Sequence, residues 1–171
     1  MIIKLVQKED AGIIHDLMIR AFSVYKDETP TSSALDETVD SILLALKDGE
    51  QGLIGFIDQQ PVGMVRFRFR LTEGGCYFYR LSVLPDKQGL GIAKELLASL
   101  EQYAIQYQVK ELSCKVRMSL PKNIHLYRSI GFEIVSEEVS LNSNLKPVKV
   151  ALMKKQLSNV RLKVHSIRGD E

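Results

Sequence analysis

The segment that most constrains this 171-residue chain runs from Leu81 to Lys94, reading Leu81-Ser82-Val83-Leu84-Pro85-Asp86-Lys87-Gln88-Gly89-Leu90-Gly91-Ile92-Ala93-Lys94. An apolar strand ends at a proline, and a glycine-bearing turn opens the strongest helical pattern in the sequence. Ile92, Leu96, Leu97, Leu100, Tyr103 and Ala104 recur at helical spacing and predict a helix over Gly89–Tyr107. The first backbone N–H groups of any helix lack intrahelical partners, and with the helix dipole they form an anion site. Gly89, Gly91 and Ala93 keep bulk away from that backbone, while Lys87 and Lys94 add positive charge. There is no G-x-x-x-x-G-K-[ST] and no third glycine of the dinucleotide fingerprint, so neither a Walker loop nor a Rossmann turn fits. Taken alone, the turn is equally a glycine-rich helix start that binds nothing.

The elements around this turn set the fold class. Ile2–Val6 reads as a strand. Ile13, Ile14, Leu17, Met18 and Ala21 then hold helical spacing behind Glu9 and Asp10, acids that suit a helix N-terminus. Tyr25–Thr31 is a polar loop with Pro30. Ser33, with Asp36 three residues on, predicts the start of a second helix whose stripe is Leu35, Val39, Ile42, Leu43 and Leu46 and which Gly49 ends. Gly52–Ile57, Val62–Leu71 and Cys76–Leu84 are strands joined by short turns, an antiparallel meander. After the long helix come a strand (Glu111–Val116), a short helix (Lys122–Ile130) and a closing strand pair (Phe132–Leu141, Val148–Leu157). The order β-α-α-β-β-β-α-β-α-β-β implies an α/β (α+β) mixed sheet with helices on its faces. One domain is expected over residues 1–157, followed by an extension over 158–171.

Charge and cysteine usage remove several function classes. The net charge of +2 is too small to argue for nucleic acid, and the basic Lys154–Arg168 stretch carries no aromatic platform, so it reads as a solvated end. Cys76 and Cys114 lie in strand-like apolar runs, where buried free thiols are expected. His15, His125 and His165 are isolated, with no metal-ligand spacing. No apolar stretch approaches the roughly 20 residues of a membrane span, and Met1–Lys8 lacks a signal peptide's apolar core. The expected setting is cytoplasmic, without membrane or nucleic-acid partner; a homodimer is compatible with the sequence.

The glycine segment resembles motif A of the GNAT superfamily of N-acetyltransferases. That motif, Gln/Arg-x-x-Gly-x-Gly/Ala, stands here as Gln88-x-x-Gly91-x-Ala93 after a strand ending Leu81-x-Val83-x-Pro85. The element order matches the family's fold over about Ile2–Leu157. A second stretch, Asn123-Ile124-His125-Leu126-Tyr127-Arg128-Ser129-Ile130-Gly131-Phe132, resembles motif B with its Leu-Tyr-x-x-x-Gly-Phe ending. The resemblance implies that the turn Gln88, Gly89, Leu90, Gly91, Ile92, Ala93, Lys94 grips the pyrophosphate of acetyl-CoA. It implies that backbone groups of Leu81, Ser82 and Val83 meet the pantetheine arm, with the Val83 N–H serving the oxyanion as an amine attacks directly. Tyr127 is then the general acid toward the departing thiolate, although a half-buried helix tyrosine with a wet tip is the plainer alternative.

Two positions depart from the family. Leu120 stands where many members carry an asparagine seven residues before the tyrosine; Asn123 is four before it and is the alternative pantetheine contact. The strand Cys76–Leu84 carries no carboxylate to act as base. A water chain, Glu28, or an acceptor of low pKa are the open alternatives. Asp27 and Glu28 are candidates to attract an amine, and a solvated loop is the plainer reading. Arg66, Arg68 and Arg70 share one strand face, where a solvated or salt-bridged face is expected before contact with an acidic acceptor. The acceptor is a small-molecule or peptide amine of unspecified identity. A non-catalytic CoA-binding sensor on the same fold is the competing class.

Overall fold

The structure, a computed structural model, describes residues 1–27, 31–142 and 144–158. Glu28 and all but the first residue of the expected 158–171 extension lie outside the described residues. Seven strands form one sheet: β1 (Ile2–Leu5), β2 (Gln51–Ile57), β3 (Gln60–Arg70), β4 (Gly75–Val83), β5 (Glu111–Arg117), β6 (Glu133–Leu141) and β7 (Pro147–Gln156). Among the described residues four α-helices accompany them: α1 (Ala11–Phe22), α2 (Val39–Lys47), α3 (Ile92–Gln106) and α4 (Pro121–Ser129). The spatial order is β1-β2-β3-β4-β5-β7-β6. Every neighbouring pair is antiparallel except β4 and β5. The expected chain order and fold class therefore hold.

Two helix starts differ from the sequence reading, each for a local reason. Ser33–Asp36 is a short 3-10 turn capped by Ser32, not the start of α2. Glu37 is extended, and α2 begins after Thr38, whose hydroxyl accepts from the Ser41 N–H at 3.1 Å while Ser41 Oγ accepts from the Thr38 N–H at 2.9 Å. That reciprocal cap satisfies two backbone donors and places the start of α2 at Thr38. The long helix begins at Ile92 rather than Gly89. Gly89 and Gly91 both sit at φ +80, a left-handed conformation that an α-helix cannot include and that glycine adopts without a steric penalty.

The sheet separates two apolar cores. On one face, Leu96, Leu97 and Leu100 of α3 and Tyr127 of α4 pack on Phe67, Phe78, Leu112 and Met153. On the other, Ile14, Leu17 and Met18 of α1 and Ile42 of α2 pack on Ile54 and Met64. The two cysteines are free and buried as expected.

Within the α1–α2 side lies a buried ionic network. Arg66 and Glu50 are 2% and 4% exposed and form an ion pair, with a second contact from Arg66 Nη2 to Glu50 Oε2 at 3.2 Å. Arg66 also binds Glu37, and Glu37 binds Arg80 Nε at 2.7 Å. The Tyr79 hydroxyl donates to Glu50. Burial and this bond push the Tyr79 phenol up to about 12. Of the three arginines on this face, Arg66 and Arg68 are salt-bridged, Arg68 to Asp48 at 3.3 Å, while Arg70 lies over the Tyr77 ring.

This network ties the segment before α2 to β3 and β4, and it carries two expected outcomes. Arg66→Leu strands Glu50 as a buried charge and lowers stability by about 3–5 kcal/mol. A fall in the urea midpoint at constant slope is the measurement, and adding Glu50→Leu restores part of the loss. Burial alone would raise the Glu37 carboxyl, but the hydrogen bonds and charges of Arg66 and Arg80 hold it below its ordinary value of 4.5. Its contribution is therefore present above about pH 4.5 and is lost as pH falls through the lower folded value. Unfolding curves of wild type and Glu37→Gln should differ at neutral pH and converge at acid pH; a constant gap would show that the carboxylate charge is not the cause.

Candidate active site

The site is built where β4 and β5 part. They pair only through Gly75–Glu111, Cys76–Leu112 and Tyr77–Ser113, although β4 continues to Val83 and β5 to Arg117. A bulge bends β4 at this point. Its partners on β3 advance from Arg66 to Met64 while β4 advances from Tyr79 to Ser82, and Arg80 takes φ +55. The buried Ser82 hydroxyl donates to the Arg80 carbonyl at 2.9 Å and secures the bend.

Beyond the bulge, the backbone of β4 alternates between its two sides. Leu84 N–H bonds the Val62 carbonyl at 3.0 Å, so Leu84 faces β3 and Val83 faces the gap left by β5. The Gln88 side chain reaches back and donates to the Val83 carbonyl at 3.4 Å. The gap is a cleft of about 480 Å³ with Leu81, Ser82 and Val83 on one wall and Asn123 and Tyr127 of α4 on another.

The glycine turn closes one end of this cleft. Gln88, Gly89, Gly91, Ile92, Ala93 and Lys94 all line it; Leu90 does not, being 67% exposed. The first bond of α3 runs from the Glu95 N–H to the Gly91 carbonyl at 3.0 Å. The N–H groups of Ile92, Ala93 and Lys94 thus precede the intrahelical ladder and remain as donors at the cleft end. A Cβ built on Gly89 or Gly91 meets nothing within 4 Å, so the space above the turn is open. Open donors, a helix N-terminus and Lys87 and Lys94 in the wall fit phosphate groups.

Tyr127 stands at the other end, 8% exposed, its ring edge-on to Phe78 at 5.7 Å and Phe132 at 5.9 Å. Burial pushes its phenol well above the ordinary 10, with Cys114, Tyr25 and Tyr77 adding in the same direction. Burial also raises the thiols of Cys76, to about 12, and of Cys114. Both thiols stay protonated at neutral pH, which removes them as nucleophiles.

A second cavity of about 200 Å³ opens past Tyr127 toward α1 and shares Phe22, Tyr25, Leu81, Leu120, Asn123 and Tyr127 with the first. Leu120, standing where the resemblance leads one to expect asparagine, lines both, and so does Asn123. Sequence reasoning missed Phe22, Tyr77, Arg80, Lys115 and Arg117 in this second wall. The strand period carried a signal for part of it: Phe78 enters the α3 core, so Tyr77 and Tyr79 face the opposite side. Asp27 is not in the lining, and among the described residues no carboxylate lines either cavity. Among the described residues there is also no group of side chains suited to a metal and no helix long and apolar enough to cross a membrane.

Solved structures share this architecture. The chain is similar to a ribosomal-protein-alanine N-acetyltransferase from Brucella melitensis, with a TM-score of 0.75 and 19% identity over 92% of this chain and 100% of that one. It is similar to the protein yncA of Salmonella typhimurium, solved with its cofactor acetyl-CoA, with a TM-score of 0.75 and 18% identity over 92% and 94% of the two chains. A spermidine N-acetyltransferase chimera from Vibrio cholerae and a second source aligns with a TM-score of 0.74 and 19% identity over 91% and 95%. No curated protein matches the sequence significantly. The profile of the family described as Acetyltransferase (GNAT) matches residues 13–132, a span that holds the parted strands, the glycine turn and Tyr127, and the chain belongs to that GNAT acetyltransferase family.

Proposed function

We propose that this protein transfers the acetyl group of acetyl-CoA to an amine by direct attack, with the cofactor lying in the cleft between β4 and β5. The observation that carries the reading is the parting of those strands beside an open, donor-rich helix start. Acetyl-CoA supplies the activated acetyl group. The Ile92–Lys94 N–H groups and the nearby lysines bind its phosphates. The gap-facing edge of β4 pairs with the pantetheine amides, and the Val83 N–H stabilises the charge that develops on the thioester oxygen. Two structural neighbours are named for amine acceptors, spermidine and a ribosomal-protein alanine, which supports the amine class. Buried, reduced thiols fit a cytoplasmic enzyme.

Tyr127 donates a proton to the departing sulfur. Its phenol lies above the ordinary 10 because it is buried, which by itself makes donation harder. The thiolate forms in the same dry cleft, so its own proton affinity rises for the same reason, and the difference between the two groups is what the reaction meets.

Two outcomes test this. Gly91→Glu costs about 1–2 kcal/mol through its left-handed backbone and clashes with nothing at Cβ, so the fold survives. Isothermal titration should then show acetyl-CoA affinity reduced by about 100-fold or more; unchanged affinity removes the phosphate-turn reading. Tyr127→Phe keeps the ring and should leave acetyl-CoA affinity intact while lowering turnover by about 10²–10⁴-fold. Because the phenol stays protonated to above pH 10, the wild-type and variant rate profiles should run parallel from pH 7 to about pH 9. Wild-type turnover in the variant, measured where chemistry limits, would make Tyr127 a packing residue only.

A further inference from the structure

The cavity past Tyr127 is where an acceptor reaches the acetyl group if the proposed function holds, and the present inference rests on that reading. Its charged lining is of one sign. Arg80 enters from the β4 bulge, and Lys115 and Arg117, two residues apart on β5, enter from the same strand face. Tyr25, Tyr77, Tyr79, Tyr127 and the protonated Cys114 supply the remaining titratable groups, and no carboxylate lines it among the described residues. The cations have partners of differing strength. Arg80 is held by Glu37 and by Ser33 Oγ at 3.1 Å, with Nη1 outside both contacts. Arg117 Nη2 donates to the Thr31 carbonyl at 3.0 Å among its interactions. Lys115 pairs with Glu138, both about 40% exposed, and an exposed pair of that kind is weak and readily exchanged.

A polyamine entering this cavity would bring a second positive charge among three cations, with no carboxylate among the described lining residues to receive it. An amine that also carries an acid group meets the opposite situation. Its carboxylate finds Lys115 and Arg117, and the same cations disfavour the protonated form of its amino group. That second effect bears on the absent strand carboxylate, since an amine delivered neutral requires less from a base. The cavity of about 200 Å³ suits a small molecule of this type.

We infer that the acceptor is a small amino acid-like compound, an amine bearing a free carboxylate, which Lys115 and Arg117 select. The amine nitrogen bonds to the acetyl carbon and loses one proton to water, the C–S bond breaks, and the sulfur takes the proton of Tyr127, which water restores.

The test is thiol release from acetyl-CoA by wild-type protein with the common L-amino acids, each paired with its C-terminal amide, and with spermidine alongside. At least one free acid should exceed its own amide by about 100-fold in kcat/KM, with spermidine inactive. Arg117→Gln and Lys115→Gln should each raise KM for that acid by about tenfold or more, with little change for the amide or in acetyl-CoA affinity by titration. If amides or spermidine match or exceed the acids, the inference is overturned while acetyl transfer stands. Equal losses for acid and amide in both variants would also overturn it, by making the two residues structural. Acetyl-CoA binding without release to any amine would overturn the inference together with the transferase reading.

Discussion

A buried backbone amide or carbonyl without a hydrogen-bond partner is costly, and a parallel strand pair that opens partway along its length creates a whole row of them. Past Tyr77 and Ser113, β4 and β5 face each other across a gap too wide to bond. The neighbouring arrangements work around this. Arg80 absorbs the bend in a left-handed conformation, Ser82 secures its carbonyl, and the Gln88 side chain occupies the carbonyl of Val83. Donors at the start of α3 are added to the same opening. A cleft assembled in this way is a place where an extended, amide-bearing molecule completes the sheet, as an added strand would.

The parts legible in the sequence are those whose cause is local. The apolar spacing of α3, the turn at Asp58 and Gln59, and the proline and glycines that frame Gln88 depend on residues a few places apart. The Leu-Tyr-x-x-x-Gly-Phe pattern is likewise local, and it marks Tyr127, whose ring packs against Phe78 and Phe132. The parts not legible depend on distant partners. Glu50 gives no periodic sign that Arg66 and Tyr79, 16 and 29 residues away, will bury it. Glu37 looks like the middle of a helix until Arg66 and Arg80 hold it extended between a 3-10 turn and the true cap at Thr38.

The same distinction explains why the two ends of the site differ in how far sequence reaches. The glycine-turn end is made from consecutive backbone groups, and glycine spacing reports it directly. The wall past Tyr127 is made from the end of α1, the bulge of β4, the far end of β5 and the start of α4, and only the sheet order brings them together. That no carboxylate lines it among the described residues is a property of that assembly, since Glu37 and Glu50 are held by arginines.

The sheet also has a consequence for how such a protein can change over generations. The α3–α4 core supports the glycine turn, and the α1–α2 core lies on the opposite face with no buried residue in common. Substitutions beneath α1 and α2 alter one wall of the cavity past Tyr127 without passing through the packing that shapes the glycine turn. Inheritance can therefore hold the donor constant while the recipient drifts, so descendants of one ancestral chain can diverge in what they modify long before they diverge in what they spend.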